Sequence, residues 1–95
     1  MIEVEKQWVL YILQCGDGTL YTGITDNLQR RLAAHKTGKG AKYTRGRGPL
    51  VLRYREICTD HSHALRREFA VKALTRQEKL LLCESCSPEQ QEQIS

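Results

Sequence analysis

Residues 8–24, which read WVLYILQCGDGTLYTGI, decide the fold of this chain. Two runs rich in β-branched and aromatic residues flank the break Gly16-Asp17-Gly18, a composition typical of two strands joined by a tight turn. The segment therefore predicts a β-hairpin. A three-residue loop would set Tyr11 opposite Gly23 and place Tyr11 and Tyr21 on one face of the hairpin, whereas a two-residue turn would separate the two phenols.

The hydrophobic pattern after the hairpin predicts three helices and one further strand. We expect a first helix, with an N-cap at Thr25-Asp26, to reach about Lys36. The remaining elements are a third strand over 50–58, a second helix from Asp60 or Ser62 to Ala73 or Leu74, and a third helix over 76–83. The order β-β-α-β-α-α predicts an α+β fold, in which a small antiparallel sheet is flanked by helices.

The length of 95 residues fits a single domain. We expect the folded part to span residues 7–84 and residues 85–95 to form a flexible polar tail. No apolar run approaches the roughly 18 residues that cross a bilayer, and the N-terminus does not resemble a signal peptide. We therefore expect a cytoplasmic protein with no membrane partner.

Cysteines in a cytoplasmic protein are expected to be reduced. Cys83 and Cys86 have the spacing of a zinc knuckle, but a tetrahedral zinc site needs two further ligands. His61 and His63 are available in principle. The other interpretation is two thiols near the end of a helix.

Positive charge is concentrated between residues 27 and 55, where nine basic residues occur without an acid. Such a run is either a solvated face or a surface that binds polyanions, and nucleic acid fits better than a membrane because the run lacks a bulky apolar face. Residues 38–48 predict a glycine-rich basic loop within it. The side chains expected to contact phosphates or stack on a base are Lys39, Lys42, Tyr43, Arg45 and Arg47.

Two polar residues of the first predicted helix lie beside its apolar stripe. At about 3.6 residues per turn, Arg31 and His35 flank the stripe formed by Leu28 and Leu32, whereas Arg30 points away from it. The pattern predicts that Arg31 and His35 lie together next to the core.

The second predicted helix carries Glu68 inside an arc of apolar residues. A carboxylate there has a desolvation cost of several kcal/mol unless a cation, a metal or a hydrogen-bond network compensates it. Glu68 is therefore a site candidate, and the alternative is a structural ion pair with Lys72 or with an arginine of the first helix. The other members of the arc are Ala64, Leu65, Phe69 and Val71.

The ordered set of these residues resembles the GIY-YIG nuclease superfamily, and within it the small stand-alone UPF0213-like proteins. The resemblance covers residues 8–82, with further similarity in segments 37–44 and 64–68. It favours the three-residue hairpin loop, because that loop brings the two tyrosines to one face. The matching positions are Val9-Leu10-Tyr11, Tyr21-Thr22-Gly23, Arg31, His35 and Glu68.

The resemblance implies a three-stranded antiparallel sheet flanked by helices and a metal-dependent hydrolysis of phosphodiester bonds. Glu68 would hold one Mg²⁺ or Mn²⁺, and Tyr11, or in second place Tyr21, would act as the general base on the attacking water. Arg31 would neutralise charge on the phosphoryl oxygens, and His35 would orient the nucleophile or a tyrosine.

Two more positions take roles from the same resemblance. Gly23 would let the substrate backbone approach closely because it has no side chain. Many members carry an asparagine on a helix after the glutamate, whereas the only asparagine here is Asn27, so Lys72 is the polar substitute in that region.

Three functions remain open at this point. The first is a metal-dependent endonuclease acting on DNA, or alternatively on RNA. The second is a nucleic-acid-binding module with the same fold and weak or no catalysis, and the third is a protein-interaction role of the positive surface. No obligate protein partner is evident from the sequence.

Overall fold

A computed structural model of the chain describes residues 7–38, 46–85 and 92–93. The strands form one antiparallel sheet in the order β2-β1-β3-β4. The predicted α+β fold with an antiparallel sheet flanked by helices is confirmed. In chain order the elements are β1 (Trp8–Gln14), β2 (Leu20–Thr25), α1 (Leu28–Lys36), β3 (Val51–Cys58), α2 (His61–Lys72), α3 (Arg76–Glu84) and β4 (Glu92–Gln93).

The hairpin between β1 and β2 has the register of a three-residue loop. Tyr11 lies opposite Gly23 and Leu13 lies opposite Tyr21. The backbone N–H of Cys15 donates to the carbonyl of Thr19 at 2.8 Å and closes the loop. The loop ends at Gly18 with φ +86°, a left-handed conformation that glycine adopts without steric cost. Both tyrosines consequently project from one face of the sheet.

The helices pack on opposite faces of the sheet. On the first, which we call the α1 face, Tyr11 and Leu13 pack with Leu32 of α1. On the second, the α2 face, Leu10 and Ile12 pack with residues of α2 and α3. Successive side chains of a strand point to opposite faces, and β1 is buried on both because it lies between β2 and β3.

A β-bulge shifts the pairing of β1 with β3. Tyr11 lies opposite Arg55 and Ile12 opposite Tyr54, but Leu13 then lies opposite Leu52, so that one extra residue of β3 is accommodated between Ile12 and Leu13. A bulge reverses which residues of a strand face which side. Leu52 therefore joins the α1-face core, whereas Tyr54 packs on the α2 face.

Helix caps fix where the helices begin. Asp60 accepts from the N–H of His63 and begins α2, as predicted. The expected N-cap at Thr25-Asp26 is wrong, because Asn27 caps α1 through the N–H of Arg30. The Thr25 hydroxyl is already used, since it accepts from the N–H of Asn27 at 3.1 Å.

The apolar arc expected on α2 is narrower than its sequence indicates. Ala64 and Val71 are buried, but Leu65 is 46% exposed and Phe69 is 81% exposed. Only the stripe of α2 that faces the sheet is covered, because no described element packs on its outer side. Glu68 lies beside this stripe, and its side chain is 23% exposed. It is half-buried rather than enclosed.

The end of the chain differs from the expected flexible tail at two residues. Glu92 pairs with Leu52 and Gln93 pairs with Val51 as the short strand β4. Backbone hydrogen bonds to β3 satisfy groups that would otherwise form an open edge at that end of the strand. The rest of residues 86–95 lies outside the described part of the chain.

A bidentate ion pair ties α2 to β3. Nε of Arg67 donates to Glu56 at 2.5 Å and its Nη2 donates to the other carboxylate oxygen at 2.8 Å. The hydroxyl of Tyr54 also donates to Glu56 at 2.7 Å. The hydrogen bond from Arg67 is the main cause that lowers the pKa of Glu56.

This ion pair predicts an acid-dependent contribution to stability. A lowered folded pKa means that Glu56 stabilises the protein above its unfolded pKa and that this contribution is lost as the pH falls through the folded value. We expect Glu56→Gln to lower the free energy of unfolding by about 1 to 2 kcal/mol at pH 7 and by much less at pH 3, measured by urea denaturation. Glu84→Gln on α3 is the control, and an equal loss at both pH values would contradict the interpretation.

Candidate active site on the α1 face

Tyr11 lies at the centre of the candidate site. Its side chain is fully buried on β1, where it packs with Leu13 and Leu32. The Tyr11 hydroxyl lies 3.0 Å from Nε2 of His35, and Nε of Arg31 donates to the same hydroxyl at 3.3 Å. A buried hydroxyl is costly unless it is hydrogen-bonded. These partners on α1 therefore make a tyrosine acceptable at this position in the core.

Helix geometry brings Arg31 and His35 to Tyr11. Residues four apart lie one above the other on the same side of a helix. His35 is only 3% exposed, Arg31 is partly buried, and Arg30 is exposed on the outer side of α1. The orientation predicted from helical spacing is thus the observed one.

Gly23 makes room for the Tyr11 ring. A Cβ at position 23 would lie 2.6 Å from the hydroxyl oxygen of Tyr11 and 2.7 Å from its Cζ, which is closer than unbonded atoms approach. The space expected to admit a substrate backbone at Gly23 holds the Tyr11 phenol in this structure. Gly23 therefore contributes to the site by leaving space for the Tyr11 ring.

Tyr11 and His35 are both uncharged at neutral pH. Burial raises the pKa of Tyr11 to about 12, although the hydrogen bond from Arg31 acts in the opposite direction. Burial, and after it the positive charge of Arg31, lowers the pKa of His35 to about 4. A guanidinium only donates, so the Tyr11 oxygen accepts from Arg31 and its O–H donates to Nε2 of neutral His35.

Tyr21 lies on the more open side of this cluster. It is partly buried, and its ring centroid is 6.2 Å from that of Tyr11 and 5.4 Å from that of His35. The pKa of Arg31 is raised first by its hydrogen bond to Tyr11 and also by one to Tyr21. The guanidinium of Arg31 thus interacts with both phenols.

Glu68 belongs to the helix on the other face of the sheet. Its carboxylate lies 3.4 Å from Nζ of Lys72, one turn along α2, which corresponds to the ion pair that the sequence analysis gave as the alternative. Helix α2 packs against β1 and the edge strand β2. The structure therefore brings Tyr11, Tyr21, Arg31 and His35 together on the α1 face, whereas Glu68 contacts Lys72 on the helix that packs against the α2 face.

Of the predicted binding residues of the basic loop, one lies in the described part of the chain. Arg47 forms an ion pair with Asp17 at 2.7 Å, and its carbonyl accepts from the N–H of Gly16. Arg47 thus joins the end of the loop to the hairpin turn. The other predicted binding residues, Lys39, Lys42, Tyr43 and Arg45, lie outside the described residues.

The donor groups near α2 fit a metal held by one carboxylate. Within the described residues, no three His, Cys, Asp or Glu side chains are grouped as a metal site. Mg²⁺ commonly keeps several waters and binds one or two carboxylates together with substrate phosphates, and half-buried Glu68 meets that requirement. The buried hydroxyl of Thr22 on β2 has no hydrogen-bond partner in the described chain.

Of the two cysteines with the spacing of a zinc knuckle, Cys83 is part of the α2-face core, and Cys86 lies outside the described residues.

Comparison with known proteins identifies the family. The chain matches the GIY-YIG catalytic domain over residues 7–80. This chain belongs to the GIY-YIG family. It is 54% identical over 76 residues to a UPF0213 protein of Desulfotalea psychrophila, which covers 79% of this chain and 69% of that protein. A UPF0213 protein of Oceanobacillus iheyensis is 51% identical over 81 residues, covering 85% of this chain and 94% of the relative.

Solved structures agree with the GIY-YIG assignment. The solution NMR structure of a UPF0213 protein from Bacillus halodurans has a TM-score of 0.57 and 43% identity, covering 87% of this chain and 89% of that one. A second NMR structure, from E. faecalis, has a TM-score of 0.61 and 37% identity, covering 88% and 90%. In the described part of this GIY-YIG chain, no helix is long and apolar enough to span a bilayer.

Sequence reasoning missed two residues of this GIY-YIG domain, one on each face of the sheet. Arg55 pairs with Tyr11 across β1 and β3, and Thr22, which pairs with Ile12, is buried on the α2 face. The position of Thr22 follows from the alternation of β2. The face of Arg55 depends on its pairing register and on the bulge, which no residue spacing in the sequence reveals.

The protonation state of His35 is testable. Its lowered pKa means that the folded protein binds fewer protons than the unfolded chain, so stability is complete above about 6.5 and is lost as the pH falls toward about 4. We expect the Cε1 proton of His35 to titrate in NMR spectra near the lower value. Arg31→Met should raise this pKa while leaving it below the ordinary value, since burial remains. Titration of the wild type near 6.5 would contradict the buried cluster.

The close approach of Tyr11 to Gly23 gives a second prediction. Gly23→Ala should lower the free energy of unfolding by about 1 to 3 kcal/mol, because the added Cβ overlaps the phenol. In a Tyr11→Ala background the same change should cost much less, since the ring is absent. Urea denaturation of the four proteins gives the coupling energy, and equal costs in both backgrounds would show that the clash is not the cause.

Proposed function

We propose that this GIY-YIG protein is a nuclease that hydrolyses phosphodiester bonds in nucleic acid, with a divalent cation held by Glu68. The observation that supports this proposal is the buried cluster in which Arg31 donates to Tyr11 and also interacts with Tyr21. A fixed guanidinium beside a phenol pairs a group that neutralises phosphoryl charge with a group able to accept a proton.

The burial of the two phenols supports Tyr21, rather than Tyr11, as the general base. A general base must reach the water whose proton it takes. The Tyr11 oxygen is fully buried, and both of its hydrogen bonds are used within the cluster. Burial also keeps it protonated, with a pKa of about 12. We therefore propose that Tyr11 holds Arg31 and His35 in place, a role different from the general base that the resemblance implied.

Arg31 is proposed to neutralise the charge that develops on the phosphoryl oxygens. Its hydrogen bonds with the two phenols hold its side chain in place before substrate arrives, so little reorganisation accompanies the reaction. His35 is neutral and accepts the proton of Tyr11. Its proposed role is therefore to orient Tyr11, and through Tyr11 the guanidinium.

Glu68 is the proposed ligand of Mg²⁺ or Mn²⁺. Such an ion supplies Lewis-acid stabilisation of the phosphoryl group and a more acidic bound water. In the described structure the Lys72 ammonium lies 3.4 Å from the carboxylate and compensates its charge. Lys72 is exposed and its flexible chain can move aside, which makes it available to a substrate phosphate.

DNA is the proposed substrate, with RNA as the alternative, and the basic residues of the loop and of α1 are the proposed phosphate contacts. A nucleic-acid-binding module with little catalysis is the second candidate. The observation that favours this second candidate is the ion pair between Glu68 and Lys72, because it occupies the only proposed metal ligand.

A cleavage panel tests the proposal. Single-stranded, duplex, flap and branched DNA, together with RNA, are incubated with Mg²⁺ or Mn²⁺ and with EDTA as the metal-free control. Tyr21→Phe lacks the proposed general base, so its cleavage rate should be lower by a factor of about 10² to 10⁴. Glu68→Gln should lose metal-dependent cleavage. Tyr11→Phe should lose less, since its hydroxyl only positions other groups, and Glu84→Gln should cleave like the wild type.

Two results would contradict parts of this proposal. Metal-dependent cleavage that is unchanged in Glu68→Gln would remove Glu68 from the mechanism. Binding that weakens linearly with salt on a log-log plot, without turnover of any substrate by the wild type, would favour the binding module.

A further inference from the structure

Charge is segregated between the two faces of the sheet. Three of the segments that build the α1 face, Trp8–Gln14, Leu20–Thr25 and Leu28–Lys36, contain no acidic residue. The carboxylates Glu56 and Glu68 lie on the side of α2, and each is paired with a cation of that helix. A polyanion approaching the α1 face therefore meets cations of α1 and β3, and none of the described elements β1, β2, α1 and β3 places a carboxylate on this face.

Arg55 is a cation of this α1 face on the opposite side of β1 from Gly23. It lies directly opposite Tyr11 in the pairing of β1 with β3, and directly opposed residues project from the same face of a sheet. Gly23, Tyr11 and Arg55 thus form one row across β2, β1 and β3. Arg55 extends the row beyond the cluster of phenols.

The side chain of Arg55 is available to a ligand. It is exposed, and its guanidinium has no hydrogen-bond or ion-pair partner among residues 7–38, 46–85 and 92–93. The bulge separates it from the covered start of β3, where Leu52 and the preceding Leu50 are buried. Two residues further along the strand, Ile57 is 66% exposed. This end of β3 is therefore an exposed surface beside Tyr11, formed by Arg55 and Ile57.

We infer that Arg55 binds the sugar-phosphate backbone of the nucleic acid on the β3 side of the active site. A guanidinium presents its donors in a planar fork that matches two phosphate oxygens, and the apolar side chain of Ile57 suits the face of a sugar. Arg31 holds the phosphoryl group under attack and Arg55 a neighbouring phosphate, so the substrate strand crosses the sheet from β2 toward β3. This inference rests on the proposed function.

Binding in EDTA, where no cleavage interferes, tests the inference. The fluorescence anisotropy of labelled single-stranded and duplex DNA is measured at several KCl concentrations with the full chain. Because Arg55→Gln lacks one phosphate contact, we expect it to bind DNA several-fold more weakly at low salt. The magnitude of the slope of log K against log salt should fall by about 0.7 to 0.9. Arg55→Lys keeps the charge and should keep the slope while losing part of the affinity.

The matched control is Arg66→Gln. Arg66 is an exposed arginine of α2 that donates only to Ser62 within its own helix among the described residues, so its loss should leave both affinity and slope unchanged. Thermal unfolding verifies that each variant is folded. Equal behaviour of Arg55→Gln and Arg66→Gln, with a wild type that binds DNA, would overturn the inference alone. A wild type without salt-sensitive affinity for DNA or RNA would overturn the proposed function and this inference with it.

Discussion

The hydroxyl of Tyr11 is the polar group around which the described structure is organised. It is buried on a strand that has neighbours on both sides, where an unpaired hydroxyl would cost roughly 1 to 3 kcal/mol. Helix α1 supplies its two partners, Arg31 and His35. The need to satisfy this one group therefore fixes how α1 sits on the sheet. It also fixes the glycine opposite, since the ring occupies the space above Gly23.

The same constraint separates the roles of the two tyrosines. Tyr11 is held from three sides and has no contact with water, whereas Tyr21 on the edge strand is only partly buried. Arg31 interacts with both, so the buried phenol positions the guanidinium and the more open phenol is the one that can meet substrate. A neutral His35 completes the arrangement, because a protonated imidazole could not accept the Tyr11 proton.

Local patterns in the sequence were sufficient to predict every element except β4, together with the orientation of Arg31 and His35. Strand alternation left two hairpin loops open, and the family resemblance favoured the one that puts both tyrosines on one face, as observed. Helical spacing placed Arg31 and His35 beside the core. These signals are short-range and each depends on a few neighbouring residues. The N-cap of α1 was missed because Thr25, Asp26 and Asn27 are all good capping residues, and only the contacts of the folded chain select among them.

Long-range packing determined what the sequence left undecided. Phe69 and Leu65 have the spacing of core residues, yet no described element covers the outer side of α2, so they remain exposed. The bulge in β3 decides that Arg55 shares a face with Tyr11, and its position depends on pairing between distant segments. Helical spacing indicated only that Glu68 lies beside the core, and long-range packing puts its helix on the face of the sheet opposite to the phenols.

The division of work between the phenols is tested most directly by placing a fluorotyrosine, whose phenol is more acidic, at one position at a time. The pH dependence of kcat/KM for metal-dependent cleavage reports the pKa of the general base in the free enzyme. With the analogue at Tyr21, our account predicts that the ascending limb of the pH profile moves to lower pH. The size of the shift should equal the difference in pKa between the tyrosine phenol and the fluorotyrosine phenol. The analogue at Tyr11 should leave that limb in place. A limb that moves with position 11 and not with position 21 would contradict the account.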